Sequence, residues 1–406
     1  MNARAQADRR LRICVASSGL GHVARGIEAW AADLGRALVE RGEDVLLCKG
    51  GGEAHEKYER VVPCWTRESA ATRRLRRWLP RFLGWRVGLG GAYPVEQTSF
   101  AWKLLKVLRR EQIEILHVQD PLVALHVQRA RRWGWVRART ILAHGTEEPF
   151  DFQRRIVYLQ HLAPWHLEEA RRAGVERSCW TAIPNFIDTE TFRPNREPAG
   201  TREDGGLRDE LGLPADAVVA LSAAAIKRRH KRVDYVLEEF AALLQSQPEL
   251  PLYLVLAGGW EPDTDELMAQ GQARLGDRVR FLVRFPRQRM PELYRTADLF
   301  LLGSLKEMMP IALLEAASSG LPCLVNAHPV MQWMIGPGGL AGEWERSGAL
   351  QTALSQLVPD HSRRYQLGQQ ARGHCLEHFS RDRVIDQILA YYRVVADDSG
   401  QEGAGT

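Results

Sequence analysis

Apolar positions fall into short runs, separated by longer stretches in which apolar residues recur at spacings of three and four. The runs at 11–16, 45–48 and 115–118 are largely apolar, and TILAHGTEEP carries another that ends at His144 and Gly145. Such runs read as strands buried on both faces, the pattern of a parallel sheet. Between them, a spacing such as Trp30, Leu34, Ala37 and Leu38 describes one apolar stripe on a helix. The alternation restarts in the second half, where strands are expected at 217–222, 252–257, 279–282, 298–302 and 322–325. Strand and helix in turn predict an α/β protein with two doubly wound parallel sheets.

The two halves are parted by NREPAGTREDGG, which has proline and glycines and almost no apolar residue. A chain of 406 residues is long for one average domain. We therefore expect a first Rossmann-like domain at 1–195, a linker at 196–212 and a second Rossmann-like domain at 213–380. The spacing of Ile385, Ile388, Leu389, Tyr391 and Tyr392 predicts an amphipathic helix at 381–396. The tail at 397–406 is polar and glycine-rich, so disorder is expected there.

The candidate chemistry concentrates in the second half. LFLLGSLKEMMPIALLEAASSGLPCLV reads as a strand ending at Gly303, a loop exposing Glu307, and a helix opened by Pro310 and closed by Gly320 and Pro322. The start of such a helix offers unpaired N–H groups and the positive end of its dipole, a ready phosphate site. Glu307 precedes that site and Glu315 lies inside the helix, roughly 12 Å away if every step is helical. Two carboxylates so placed could hold hydroxyls at both ends of a nucleotide sugar. AIKRRHKRVDYVLEEF puts Lys227, Arg228, Arg229, His230, Lys231 and Arg232 between a strand and a helix. Fixed cations of this kind can stabilise the charge on a departing diphosphate. Gly258 and Gly259 in LVLAGGWEPD, and the glycines of SSGLGHVARGIEAW in the first half, mark loops at strand ends where backbone approaches a ligand closely.

The two glutamates separated by seven residues and followed by AxxSGLP, together with WTAIPNFIDTETFRP, resemble the retaining glycosyltransferases of family four, which have the GT-B fold. The resemblance covers about 11–395. It implies two Rossmann-like domains facing across a cleft, with the closing helix crossing back onto the first. It also implies transfer of a sugar from a nucleoside diphosphate sugar to an acceptor hydroxyl, with configuration retained, by a metal-independent front-face mechanism. The nucleotide sugar is the co-substrate, and no further cofactor is implied. By position, the resemblance implies Glu307, His144 and Lys231 as catalytic residues, with Glu307 on the sugar hydroxyls and Lys231 on the diphosphate. It implies donor contacts from Gly26, Lys227, Arg228, Gly258, Arg284, Met309, Pro310, Ile311 and Glu315, with Glu315 on the ribose and Arg284 beside the base.

The chain departs from the family pattern at Arg25 and Ala225, which stand where glycines are usual, and at Ile226 or Lys227, where an arginine is usual. Met308, Met309 and Pro310 replace a glycine, an aromatic residue and a glycine, and proline has no amide to donate. These departures leave open a GT-B sugar-nucleotide epimerase, a transferase forming a C–N bond, and a catalytically silent homologue.

Net charge is only +5 but unevenly placed. Between 69 and 95 there is no acid, while Arg73, Arg74, Arg76, Arg77, Arg81 and Arg86 alternate with Leu75, Trp78, Leu79, Phe82, Leu83 and Trp85. One reading is peripheral contact with an anionic membrane, and the other is a solvated basic loop whose aromatics belong to the core. No nucleic-acid motif accompanies the arginines. Six cysteines without paired spacing, and an opening MNARAQADRRLR that is no secretory leader, predict a cytoplasmic chain with reduced thiols, touching at most the inner face of the membrane. HCLEHF groups His374, Cys375 and His378 without a fourth ligand and reads as part of a helix, so no metal is expected.

Overall fold

The computed structural model describes residues 10–23, 26–78, 89–195 and 206–398. Packing divides the chain into two units, Met1–Pro184 with Ile385–Thr406, and Asn185–Val384. The first unit carries a 7-stranded sheet in the order β3-β2-β1-β4-β5-β6-β7. Its strands are β1 (Arg12–Ser17), β2 (Asp44–Lys49), β3 (Glu59–Val61), β4 (Ile115–Val118), β5 (Arg139–His144), β6 (Tyr158–His161) and β7 (Thr181–Ala182). The second unit carries a 6-stranded sheet in the order β10-β9-β8-β11-β12-β13. It is built from β8 (Val218–Ala223), β9 (Leu252–Gly258), β10 (Val279–Val283), β11 (Leu299–Leu301), β12 (Cys323–Asn326) and β13 (Gly339–Gly342). Every strand pairing is parallel, as the continuous apolar runs predict.

Both sheets reverse their strand order beside their first strand, between β1 and β4 and between β8 and β11. Such a switch point leaves an opening at the carboxyl ends of the strands, where ligands bind in open α/β sheets. Below it the cores are closed by Phe100, Leu104, Leu116 and Leu159 in the first unit, and by Leu237, Phe240, Leu254 and Trp344 in the second.

Four strands fall outside the predicted set, β6 and three shorter or less apolar ones. β3 is Glu-Arg-Val at a sheet edge, β7 has two residues, and β13 is Gly-Leu-Ala-Gly, none with the β-branched or aromatic run that announces a strand. β13 needs its glycine, because a Cβ at Gly339 would stand 2.0 Å from the Cys323 carbonyl on β12.

The division falls at Pro184 and Asn185, earlier than the expected boundary at 195. The intervening NFIDTETFRP is fastened to the second unit. Ser318 Oγ donates to the Phe192 carbonyl at 2.5 Å, and the Arg372 guanidinium donates to the carbonyls of Thr189 (3.0 Å), Phe192 (3.0 Å) and Ser318 (2.6 Å). Of the expected linker, 196–205 lies outside the described residues. The rest carries a helical turn, Leu207–Glu210, whose Arg208 donates to the Ala217 carbonyl at 2.6 Å.

The last helix, Arg381–Asp397, is fastened at its far end to the first unit. Tyr392 Oη lies 2.7 Å from His117 Nδ1, Tyr391 donates to the Cys179 carbonyl at 2.7 Å, and Arg139 donates to the carbonyls of Ala396 and Asp398 at 2.7 Å each. The remainder of the expected tail, 399–406, lies outside the described residues. All six cysteines are free thiols. Among the described residues no helix is long and apolar enough to cross a membrane.

Candidate active site

In the second unit the basic loop 224–232 follows β8, and the loop 302–310 follows its neighbour β11. Gly303 lets the two loops meet, since a Cβ there would stand 2.8 Å from the Lys231 carbonyl and 2.9 Å from that of Arg232. His230 and Arg232 take up left-handed backbone, with φ of 74° and 49°. For a residue with a side chain that conformation costs of order 1 kcal/mol or more and recurs at functional sites. Its result is a three-membered cluster. Lys231 Nζ donates to Glu307 Oε1, and His230 Nε2 lies 3.6 Å from Glu307 Oε2. The Glu307 side chain is 8% exposed, so the pair is largely withdrawn from water.

The helix Ile311–Ser318 opens directly after this loop, with Pro310 as its N-cap residue. Leu313 N bonds the Pro310 carbonyl at 3.1 Å, and the amides before it have no partner within the helix. Met309 is buried, and Asn185 holds it by donating its amide to Met309 Sδ at 3.1 Å and its side-chain nitrogen to the Met309 carbonyl at 3.4 Å. Asn185 thus fixes the entrance of this helix. Glu315 is buried one turn inside. Its Oε1 accepts from Arg287 at 3.0 Å and its Oε2 from Tyr294 at 2.7 Å. Burial, and then the charge of Glu315, push the Tyr294 hydroxyl well above its usual pKa.

Other expected donor contacts part company with this cluster. Arg228 turns away, its guanidinium on Glu266 (2.7 Å) and Gln270 (3.2 Å) and its amide on Asp263 (2.7 Å). Ile226, two positions before it, is buried in the core. Lys227 Nζ stands 3.8 Å from Glu261. Gly258 is required by packing, since its Cβ would fall 1.7 Å from the Ala224 carbonyl, and its own carbonyl accepts from Arg284 N at 2.8 Å. Arg284 is exposed and left-handed, with φ of 57°.

In the first unit Gly26 begins the helix Gly26–Glu40, while Ala24 and Arg25 lie outside the described residues. His144 closes β5 and is 4% exposed. Its Nδ1 lies 3.3 Å from His161 Nδ1, its ring edge meets His166, and its Nε2 is buried without a hydrogen-bond partner. Burial, aided by His166, lowers the His144 pKa to about 3, and burial likewise brings His161 and His117 to about 3, so these rings are neutral.

The first unit's switch point holds a second polar cluster that sequence reasoning missed. Asp120, at the end of β4, accepts from Ser18 N (2.9 Å), Ser18 Oγ (2.9 Å) and Tyr93 Oη (2.8 Å). Glu96 takes Arg67 at 2.6 Å and His22 at 3.0 Å, while Arg67 also stands 3.9 Å from Glu28 and 4.7 Å from the Tyr93 ring centre. Burial raises the pKa of Asp120. It also opposes the charge on Glu96, but Arg67 and His22 outweigh it and hold Glu96 below its usual value. The available signal was Glu96 itself, the first acid after the basic stretch.

Residues 206–374 match the model of the glycosyl transferases group 1, and residues 24–191 match that of glycosyltransferase family 4. The chain is a glycosyltransferase of family 4. Its family is that of retaining enzymes drawing on nucleotide sugars. This glycosyltransferase is 26% identical over 327 residues to N-acetyl-alpha-D-glucosaminyl L-malate synthase of Bacillus anthracis, covering 75% of this chain and 81% of the relative. It is 31% identical over 181 residues to alpha-galactosylglucosyldiacylglycerol synthase of Streptococcus pneumoniae, covering 44% and 46% of the two chains. In fold it is similar to sucrose-phosphate synthase of Thermosynechococcus elongatus, with a TM-score of 0.75 at 18% identity over 95% of this chain and 99% of the other. HepE of Anabaena, solved in complex with UDP-glucose, gives a TM-score of 0.71 at 16% identity over 93% and 98%.

Proposed function

We propose that this glycosyltransferase holds a nucleoside diphosphate sugar in its second unit and passes the sugar, with its configuration kept, to an acceptor hydroxyl. The Glu307–Lys231 pair beside the open start of the helix Ile311–Ser318 carries this reading. An arriving diphosphate takes Lys231 over from Glu307 and gains the amides of the helix start, both of which stabilise the charge that grows on it as the sugar leaves. Glu307, released from Lys231, accepts hydroxyls of the sugar. The bond from the anomeric carbon to the phosphate oxygen breaks, the acceptor oxygen bonds that carbon on the same face, and the leaving phosphate takes the acceptor's proton. Glu315 shares its oxygens between Arg287, Tyr294 and the ribose, and Arg284 stands beside the base. Asp120, Tyr93, Arg67 and Ser18 in the first unit are assigned to acceptor hydroxyls, beside the neutral His144. The UDP-glucose bound to HepE, whose fold is similar, makes UDP-sugars the first donors to try.

The test is turnover of UDP-sugars with a panel of hydroxyl acceptors, the product's anomeric configuration being read by NMR. Retention is expected, and Glu307→Gln should lower kcat by about 10²–10³-fold while the protein stays folded. An inverted product, or full activity in the variant, overturns the assignment.

A further inference from the structure

The first unit presents two helices, Ala70–Trp78 and Ala92–Arg110, whose outer surfaces are basic and aromatic. The shorter is tied to the longer through the segment before it. Trp65 N donates to Ser99 Oγ at 2.9 Å, Arg67 pairs with Glu96, and Thr72 Oγ1 donates to the Thr66 carbonyl at 2.8 Å. From Ser99 the same side of the longer helix continues at Trp102, Lys103 and Lys106, all exposed. Trp102 is 68% exposed and Trp78 83%, an unfavourable setting for two indoles in water. Arg73, Arg74 and Arg77 are exposed beside Trp78. The one acid between 69 and 110 is Glu96, which is buried and neutralised by Arg67, so it offsets none of this charge. Among the described residues no carboxylate pairs with Arg74, Arg77, Lys103 or Lys106. The basic surface expected at 69–95 therefore extends along a second helix, independently of 79–88, which lie outside the described residues.

We propose that this face docks on an anionic lipid surface, with the lysines and arginines among the headgroups and Trp78 and Trp102 at the boundary with the acyl chains. Cations around exposed indoles on an amphipathic surface are the composition that interfacial binding selects. A nucleic-acid strand would call for a charged groove with aromatic platforms, whereas these residues lie on the outside of two helices. The inference does not depend on which sugar is transferred or on transfer itself.

The test is sedimentation of the full chain with vesicles of phosphatidylcholine alone or mixed with phosphatidylglycerol, at low and high salt. Binding is expected on the anionic vesicles at low salt, with a blue shift of tryptophan emission. Each charge removed should weaken it about fivefold, so Lys103→Gln with Lys106→Gln costs roughly 25-fold. Trp78→Ser with Trp102→Ser should remove the blue shift, and all these exposed positions should leave the melting temperature unchanged. Equal sedimentation with neutral and anionic vesicles, or undiminished binding by the lysine variant, overturns the proposal. So does binding of a labelled single-stranded oligonucleotide without binding of vesicles.

Discussion

At the end of β4 three donors converge on Asp120, and Arg67 is held between Glu96 and Glu28; at the end of β11 Lys231 and His230 converge on the single carboxylate of Glu307. The first arrangement is buried and carboxylate-rich. The second is partly open, richer in cations, and held by backbone in left-handed conformations. A phosphate can displace Glu307 from Lys231, but at the first switch point it would meet two or three carboxylates. The same sheet topology thus yields one site suited to hydroxyls and another suited to an anion.

The largest expected effect that separates the two units is acid sensitivity. His117, His144 and His161 have pKa values lowered to about 3 from the usual 6.5. Their neutral forms stabilise the folded first unit in full above pH 6.5. Below that, the unfolded chain takes up three protons that the folded unit refuses. Stability then falls at a limiting slope of about 4 kcal/mol per pH unit as pH drops toward 3. The histidines that are buried among the described residues all lie in the first unit. Hydrogen exchange at pH 5.5 should show β4, β5 and β6 losing protection before β8 and β9; simultaneous loss would contradict the contrast.

Next in size is Arg67→Met, which strips the buried Glu96 and Glu28 of their shared cation. A loss of about 3–5 kcal/mol is expected from the first unit in urea denaturation, with the second unit's transition unmoved. The smallest effect is that of Arg287→Ala. Arg287 is half-exposed, so its bond to Glu315 is screened and contributes about 1 kcal/mol at most. Donor KM should rise a few-fold while kcat stays constant, and a large fall in kcat would show that Arg287 does more than orient Glu315.

The second site was the more legible in the sequence because its parts are local. Glu307, Pro310 and Glu315 lie on one strand–loop–helix unit, and Lys231 sits in one loop, so spacing alone brings them near their places. Direction within that loop was not legible. Arg228 and His230 are two positions apart, yet the first reaches Glu266 and the second, on left-handed backbone, lies beside Glu307. The first site draws on Ser18, His22, Glu28, Arg67, Tyr93, Glu96 and Asp120, from separate segments that only the folded sheet brings together. No periodicity announces such a set. The short β3, β7 and β13 escaped for a related reason, since pairing with a neighbouring strand defines them rather than their own composition.

The central claim is that Lys231 gives up Glu307 to bind a diphosphate, and calorimetric titration of UDP into the wild type and Lys231→Ala tests it most directly. Loss of a hydrogen-bonded charge partner should weaken UDP binding by about 2–3 kcal/mol, roughly 100-fold. Equal affinity in the two proteins would show that the diphosphate is held elsewhere.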